Sequence, residues 1–329
     1  MPADASQGVD PTHRPPRVGH PGGEVPVWRR TRTGATLFRA FRHCSLVLDG
    51  RIEGSGAVGV LLRLWAWQVW RRAVRRPVVI RCAEGSLLLA PSWSRATSMI
   101  AGTGLTERDD ALFVLDLLRP GDLFVDVGAN VGFYTMIAGR RGARVEAFEP
   151  TPEACAACER GIELNDIRAL ATVHRLACGA EPGMARFTTG HDISNHLAGS
   201  DEPGIDVDVS TLDAELAEHQ ASMTMFKVDA EGHDLDVLRG GMVTIERLRP
   251  VILVEIWTGG AGPLALVERF GYRPHAYDPG ARSLTEIQPG YRHGGNMLLV
   301  PDSKLEAVRD RVESSQRPTL RPPSIKWMP

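Results

Sequence analysis

Two acids around a turn of small residues are the part of this 329-residue chain best suited to chemistry. The apolar run Leu123-Phe-Val ends in Asp126, then passes through Gly128, Asn130 and Gly132 into Phe133-Tyr134-Thr135. Further on, Arg144-Val-Glu-Ala-Phe reads as a second strand ending in Glu149-Pro150. Strand, glycine turn, helix, strand and acid make the first half of a nucleotide-binding unit. The glycines allow close approach of backbone to ligand. Glu149 stands where a carboxylate accepts both ribose hydroxyls, and Tyr134 and Asn130 stand where they reach the rest of the ligand.

Charge decides which ligand. A dinucleotide brings a pyrophosphate, which Asp126 and Glu149 would repel. S-adenosyl-L-methionine brings an ammonium and a sulfonium, which they attract in a low-dielectric cleft. The turn reads G-x-N-x-G rather than G-x-G-x-x-G, which also points away from NAD.

A second reactive group is Phe226-Lys227-Val-Asp229-Ala-Glu231-Gly232-His233. Lys227 is one of three lysines, and the others, Lys304 and Lys326, fall outside the expected core. An ammonium inside an apolar strand needs a carboxylate partner, with Asp229, Glu231 and Glu255 as candidates. Lys227 either makes that strand-end ion pair or touches substrate. Asp229 and Glu231 share one side if the strand continues, so that one takes a hydroxyl proton while the other pairs with Lys227. His233 is a base by its ordinary pKa or a polar surface residue. Asp229, Glu231 and Glu255 could instead hold Mg²⁺, although the neighbouring lysine opposes it. Cys155-Ala-Ala-Cys158 has a zinc or redox spacing, but it lies on an expected helix without a second pair and reads as packing. His191 and His196 fall in an insert that either lines an acceptor pocket or covers surface.

The elements that position these residues alternate regularly. Strands are expected near 123–127, 144–148, 171–176, 224–229, 251–256, 272–277 and 295–300, with helices near 132–140, 152–164, 233–240 and 263–270. This is an α/β pattern: a mostly parallel seven-stranded sheet with helices on both faces. Ligands then bind beyond the carboxyl ends of the strands, which puts Asp126, Glu149, Asp229 and Glu255 along one edge.

The quoted segments, with Ser210-Thr-Leu-Asp213, Leu235-Asp-Val-Leu-Arg-Gly240, Pro250-Val-Ile-Leu-Val-Glu255 and Asn296-Met-Leu-Leu-Val-Pro301, occur in an order that resembles the FkbM family of S-adenosylmethionine-dependent methyltransferases. The resemblance covers roughly residues 104 to 302. It implies a Rossmann-like methyltransferase fold preceded by a β-hairpin, and O-methylation of a small-molecule hydroxyl on a sugar or polyketide-type product.

The rest of the chain reads as flanking structure. Residues 1–35 are rich in Pro, Gly and Arg and are expected to be disordered. Residues 36–103 form a basic, Trp-rich helical segment and a hairpin lead-in, with strands at Val78–Cys82 and Ser86–Ala90; 104–302 form the catalytic domain; 303–329 form a helix and loose tail. Residues 1–81 hold 14 arginines against five acids, while the remainder carries about −11, for a net charge of −2. An acidic catalytic body argues against nucleic acid as substrate. The segment 57–76, with Trp65, Trp67 and Trp70, is either a helix packed on the body or a dimer interface, or an interfacial membrane helix. No apolar run spans a bilayer and no secretory signal is visible. Five cysteines fit reduced thiols in a cytoplasmic protein. The oligomeric state stays open. The remaining functional alternatives are a membrane-peripheral protein, a glycolipid methyltransferase and an NAD-dependent oxidoreductase.

Overall fold

The computed structural model describes residues 56–188, 204–221, 223–256, 261–287, 295–317 and 320–327. The insert histidines His191 and His196, most of the loop 278–294 beyond Ile287, and the N-terminal segment 1–55 lie outside them.

At the centre are β3 (Leu123–Val127), β4 (Arg144–Phe148), β5 (Ala171–His174), β9 (Thr224–Val228) and β10 (Val251–Ile256), all parallel. β13 (Gly295–Pro301) runs antiparallel to β10, and β11 (Tyr272–Asp278) runs antiparallel to β13. β12 (Ser283–Glu286) adds an eighth strand beside β11, so the expected seven-stranded sheet is one strand wider. The turn at Asp278, whose Oδ1 accepts from the backbone N–H of Gly280 and Ala281, folds β12 back onto β11.

The order β12-β11-β13-β10-β9-β3-β4-β5 reverses direction of travel between β3 and β9. Loops leaving these neighbours turn to opposite sides, opening a crevice at their carboxyl ends. Every residue of β3 and β9 is buried, as expected for strands covered on both faces. Alternate side chains feed two cores. Phe124, Met225 and Leu253 face one that includes Phe113 and Ile137. Val125, Phe226 and Ile252 face the other, with Val237 and Ile245.

Helices α1 (Ala57–Ala73), α2 (Thr97–Thr103) and α3 (Arg108–Leu117) precede the sheet; α4 (Phe133–Arg140) and α5 (Pro152–Asn165) connect its first strands. α5 starts with Pro152 in the first turn, where a missing N–H costs nothing. α6 (Leu212–Glu215), α7 (Asp234–Arg239), α8 (Met242–Leu248) and α9 (Ala261–Val267) follow, and α10 (Leu305–Glu313) packs on α3.

Two three-stranded sheets flank this body. β6 (Ala177–Cys178), β7 (Gly183–Thr188) and β8 (Gly204–Ser210) lie in the order β6-β8-β7. The expected hairpin is present as β1 (Val78–Arg81) and β2 (Leu87–Ala90). It gains β14 (Ser324–Trp327), antiparallel to β1, so the segment expected as a loose tail is a strand that covers the hairpin's open edge. Buried Asn165 docks the hairpin: its Oδ1 accepts from Leu87 N at 2.8 Å and its Nδ2 donates to Leu87 O at 2.6 Å.

Candidate active site

A cleft of about 590 Å³ opens at the reversal between β3 and β9. Of the ten residues that the sequence offers for cofactor binding or catalysis, nine line it: Asp126, Gly128, Asn130, Tyr134, Glu149, Lys227, Asp229, Glu231 and His233. Gly132 does not. Its φ of +85° turns the chain into α4, and a Cβ there would lie 2.5 Å from the Cys158 Sγ, so the bare position lets α4 and α5 pack closely.

The turn after β3 is held on both sides. Gly128 N and Ala129 N donate to Phe148 O, and Asp229 N donates to Val127 O. Gly128 has φ +77°, and a Cβ there would stand 2.0 Å from Asp229 O. This glycine therefore brings the turn against the end of β9, where the reacting groups sit.

Glu149 is a buried acceptor hub. Its Oε2 accepts from Asn130 N at 2.9 Å, and its Oε1 accepts from Thr151 N at 2.9 Å and Thr151 Oγ1 at 2.6 Å. A carboxylate has about four lone-pair directions, so one remains, on Oε2. That suits one ribose hydroxyl; accepting both, as the sequence suggested, would require Thr151 to let go. Burial raises the Glu149 pKa, partly offset by the Thr151 and Asn130 hydrogen bonds.

Asp126 lines the cleft but is only 1% exposed, so its charge reaches a ligand mainly as a field. Thr135 Oγ1 donates to its Oδ2 at 2.7 Å. Burial raises its pKa, against the opposing pull of Lys227. The strand register makes Asp126 and Lys227 direct partners across β3 and β9.

Lys227 is 3% exposed, and its Nζ donates to Asp229 Oδ2 at 2.8 Å. It also stands 5.0 Å from the centre of the Tyr134 ring. Burial pulls its pKa down, but Asp229, then Glu107 and Asp126, outweigh that and hold the ammonium charged. The Tyr134 hydroxyl donates to Glu107 Oε2 at 2.9 Å, and both residues line the cleft.

β9 ends at Val228, so the two-residue alternation does not carry through to Glu231. Glu231 instead sits at φ +49° in a left-handed turn that returns the chain toward α7. Burial, then the negative charges of Asp229, Glu255 and Asp234, push its carboxyl up to about 7. His233 starts α7, with its Nδ1 3.8 Å from Asp236 Oδ2. Among the described residues no group of three His, Cys, Asp or Glu is arranged to hold a metal ion. Cys155 and Cys158 are buried free thiols; Cys155 donates to Glu149 O, and burial pushes its pKa up to about 12.

Sequence reasoning missed Thr135, Thr151 and Glu107, which fix the three key side chains. Thr151 carried a signal, since a Thr before Pro at a helix start is a cap position. Glu107 carried none, because it meets Tyr134 across 27 residues of sequence. The lead-in and the small sheet also reach the cleft, through Trp93, Ile100, Met184 and Phe187.

A doubly covered sheet with an acid-framed glycine turn at its reversal point is a Rossmann-like architecture of the methyltransferase type. Residues 126–273 match the family model described as the methyltransferase FkbM domain. Similar proteins include a methyltransferase 1 of Beauveria bassiana, 29% identical over 37% of this chain and 59% of its own length. The hexuronic acid methyltransferase AglP of Haloferax volcanii is 32% identical over 46% of this chain and 63% of its own. The 31-O-demethyl-FK506 methyltransferase FkbM of Streptomyces tacrolimicus is 38% identical over 22% and 27%. The chain thus spans less than two thirds of these curated relatives. A crystal structure of methyltransferase FkbM from Methylobacillus flagellatus aligns over 73% of this chain and 59% of that one, at 17% identity and a TM-score of 0.38.

Proposed function

We propose that the chain binds S-adenosyl-L-methionine and methylates a hydroxyl oxygen of a small-molecule acceptor, of the sugar or polyketide-type class. The observation that carries this reading is the charge of the cleft. Among the described residues lining it, Lys227 is the lone lysine or arginine, and Asp229 already pairs with it. Asp126 and Glu149 flank the turn with two further carboxylates. Such a lining favours a cationic ligand and disfavours a pyrophosphate, which argues against the oxidoreductase reading.

When bound, S-adenosylmethionine supplies an electrophilic methyl group on a cationic sulfonium. Glu149 accepts a ribose hydroxyl with its remaining lone pair, and Asp126 sets the negative field beneath the turn. Glu231 takes the acceptor hydroxyl's proton, since a carboxyl titrating near about 7 is a competent base at neutral pH. Lys227 fixes Asp229 and keeps that carboxylate ionised. Alignment of acceptor and donor supplies on the order of 7–11 kcal/mol, more than the base contributes. The names of two relatives, one acting on a hexuronic acid and one on 31-O-demethyl-FK506, support the acceptor class.

The test is calorimetry with S-adenosylhomocysteine and with NAD, followed by a methyl-donor assay over a panel of hydroxylated acceptors. Tight S-adenosylhomocysteine binding with no NAD binding is expected. Binding of NAD alone would refute the proposal.

A further inference from the structure

Helix α1 presents an apolar stripe outward. Val58, Leu62, Trp65 and Val69 recur at four, three and four residues, which places them along one side of the helix, with Leu61 beside them. All five are exposed; Val58 is 70%, Leu62 60% and Trp65 68% accessible. The opposite side is packed: Val60 and Trp67 are buried, and the helix lies against α2. The core therefore does not need the outer stripe, and a row of large apolar side chains facing water points to a partner.

Charge identifies the partner. Residues 54–83 contain no acid and six arginines. Two of these face inward: Arg63 Nε donates to Gly102 O at 2.9 Å, and Arg71 donates to the carbonyls of Ser92 and Trp93. Arg72, on the striped side, and Arg75 and Arg76 just past the helix end are exposed. A second copy of this helix or the Arg-rich segment 1–53 would bring like charges together. An apolar stripe bordered by arginines fits a bilayer surface, with Trp at headgroup depth and guanidinium groups against anionic lipid. Among the described residues no helix is long and apolar enough to cross a membrane, so the contact is peripheral.

We infer that the outer face of α1 docks on an anionic lipid surface. Trp93, whose carbonyl accepts from Arg71 on the packed side of α1, is itself exposed and lines the cleft.

The test is co-sedimentation of the full chain with phosphatidylcholine vesicles, alone or doped with phosphatidylserine. A Leu62→Ser/Trp65→Ser double variant and an Arg72→Ser/Arg75→Ser/Arg76→Ser triple variant are run in parallel. All the substituted side chains are exposed, and circular dichroism confirms folding. The full chain should pellet with the doped vesicles and not with pure phosphatidylcholine. Each variant should lose about tenfold or more of its lipid partitioning. A full chain that stays in the supernatant, pelleting that neither variant changes, or a wild-type dimer that the double variant converts to monomer without any lipid binding would each overturn the inference.

Discussion

The ammonium of Lys227 and the carboxylate of Asp229 meet at 2.8 Å at the carboxyl end of β9, with the lysine almost wholly enclosed. They are two residues apart, yet the strand ends between them, so the pair closes the strand tip instead of following its pleat. The pair fixes the position and the charge of Asp229 beside the turn that Gly128 makes possible.

Removing one member of this pair should leave a buried charge uncompensated. Asp229→Ala is expected to destabilise the protein by roughly 3–5 kcal/mol. Lys227→Met/Asp229→Leu should recover much of that loss while turnover stays abolished. Urea denaturation of the single and double variants checks this. Full recovery of stability and of turnover in the double variant would leave the pair with no part in the reaction.

Glu149→Ala removes the acceptor of three hydrogen bonds. Affinity for S-adenosylhomocysteine should fall by about 1.5–3 kcal/mol, since bonds to charged groups are worth about that much. Because burial raises the carboxyls of both Asp126 and Glu149, donor binding should strengthen as pH rises through their titration, where both gain charge. Calorimetry across pH reads both effects. Unchanged affinity in Glu149→Ala would remove the ribose assignment.

Gly128→Ala demands a left-handed backbone from a residue with a Cβ and drives that Cβ to 2.0 Å from Asp229 O. The left-handed conformation alone costs roughly 1–2 kcal/mol, and the contact with backbone cannot be relieved by a rotamer. The variant should melt at lower temperature and lose donor binding as the turn separates from β9. A Gly132→Ala variant should also be less stable, through the Cys158 contact, but should bind donor better than Gly128→Ala does.

Glu231 gives a pH signature. Its carboxyl titrates near about 7, raised from the ordinary range. If it is the base, kcat rises through that pH, and Glu231→Gln abolishes the rising limb with a loss of roughly 10²–10⁴-fold. Stability moves oppositely. A carboxyl with a raised folded-state pKa favours the native state at low pH, and that contribution is lost as pH rises through about 7. Glu231→Gln should therefore gain stability relative to wild type as pH rises from the ordinary carboxyl range to about 7, and keep that gain above it. A kcat profile in the variant that keeps its rising limb would move the base role to another group, with His233 the next candidate.

What the chain determined alone was the repeat of strands and helices and the turn at its centre. Apolar spacing and glycine position act over a few neighbouring residues, so β3, β4, β9 and β10 and the acids at their ends were legible before any coordinates. Every acid that the strand rule put on one edge, apart from Glu255, lines the cleft. The tertiary structure decided the rest. It assigned Glu149 its Thr151 and Asn130 donors, bent the chain at Glu231 out of the strand pleat, and set Glu107 against Tyr134. It turned the segment 324–327 into the third strand of the N-terminal hairpin, and it divided α1 into a packed side and an exposed one. Those outcomes depend on which distant segments share space, and no local periodicity encodes a contact between residues tens or hundreds of positions apart.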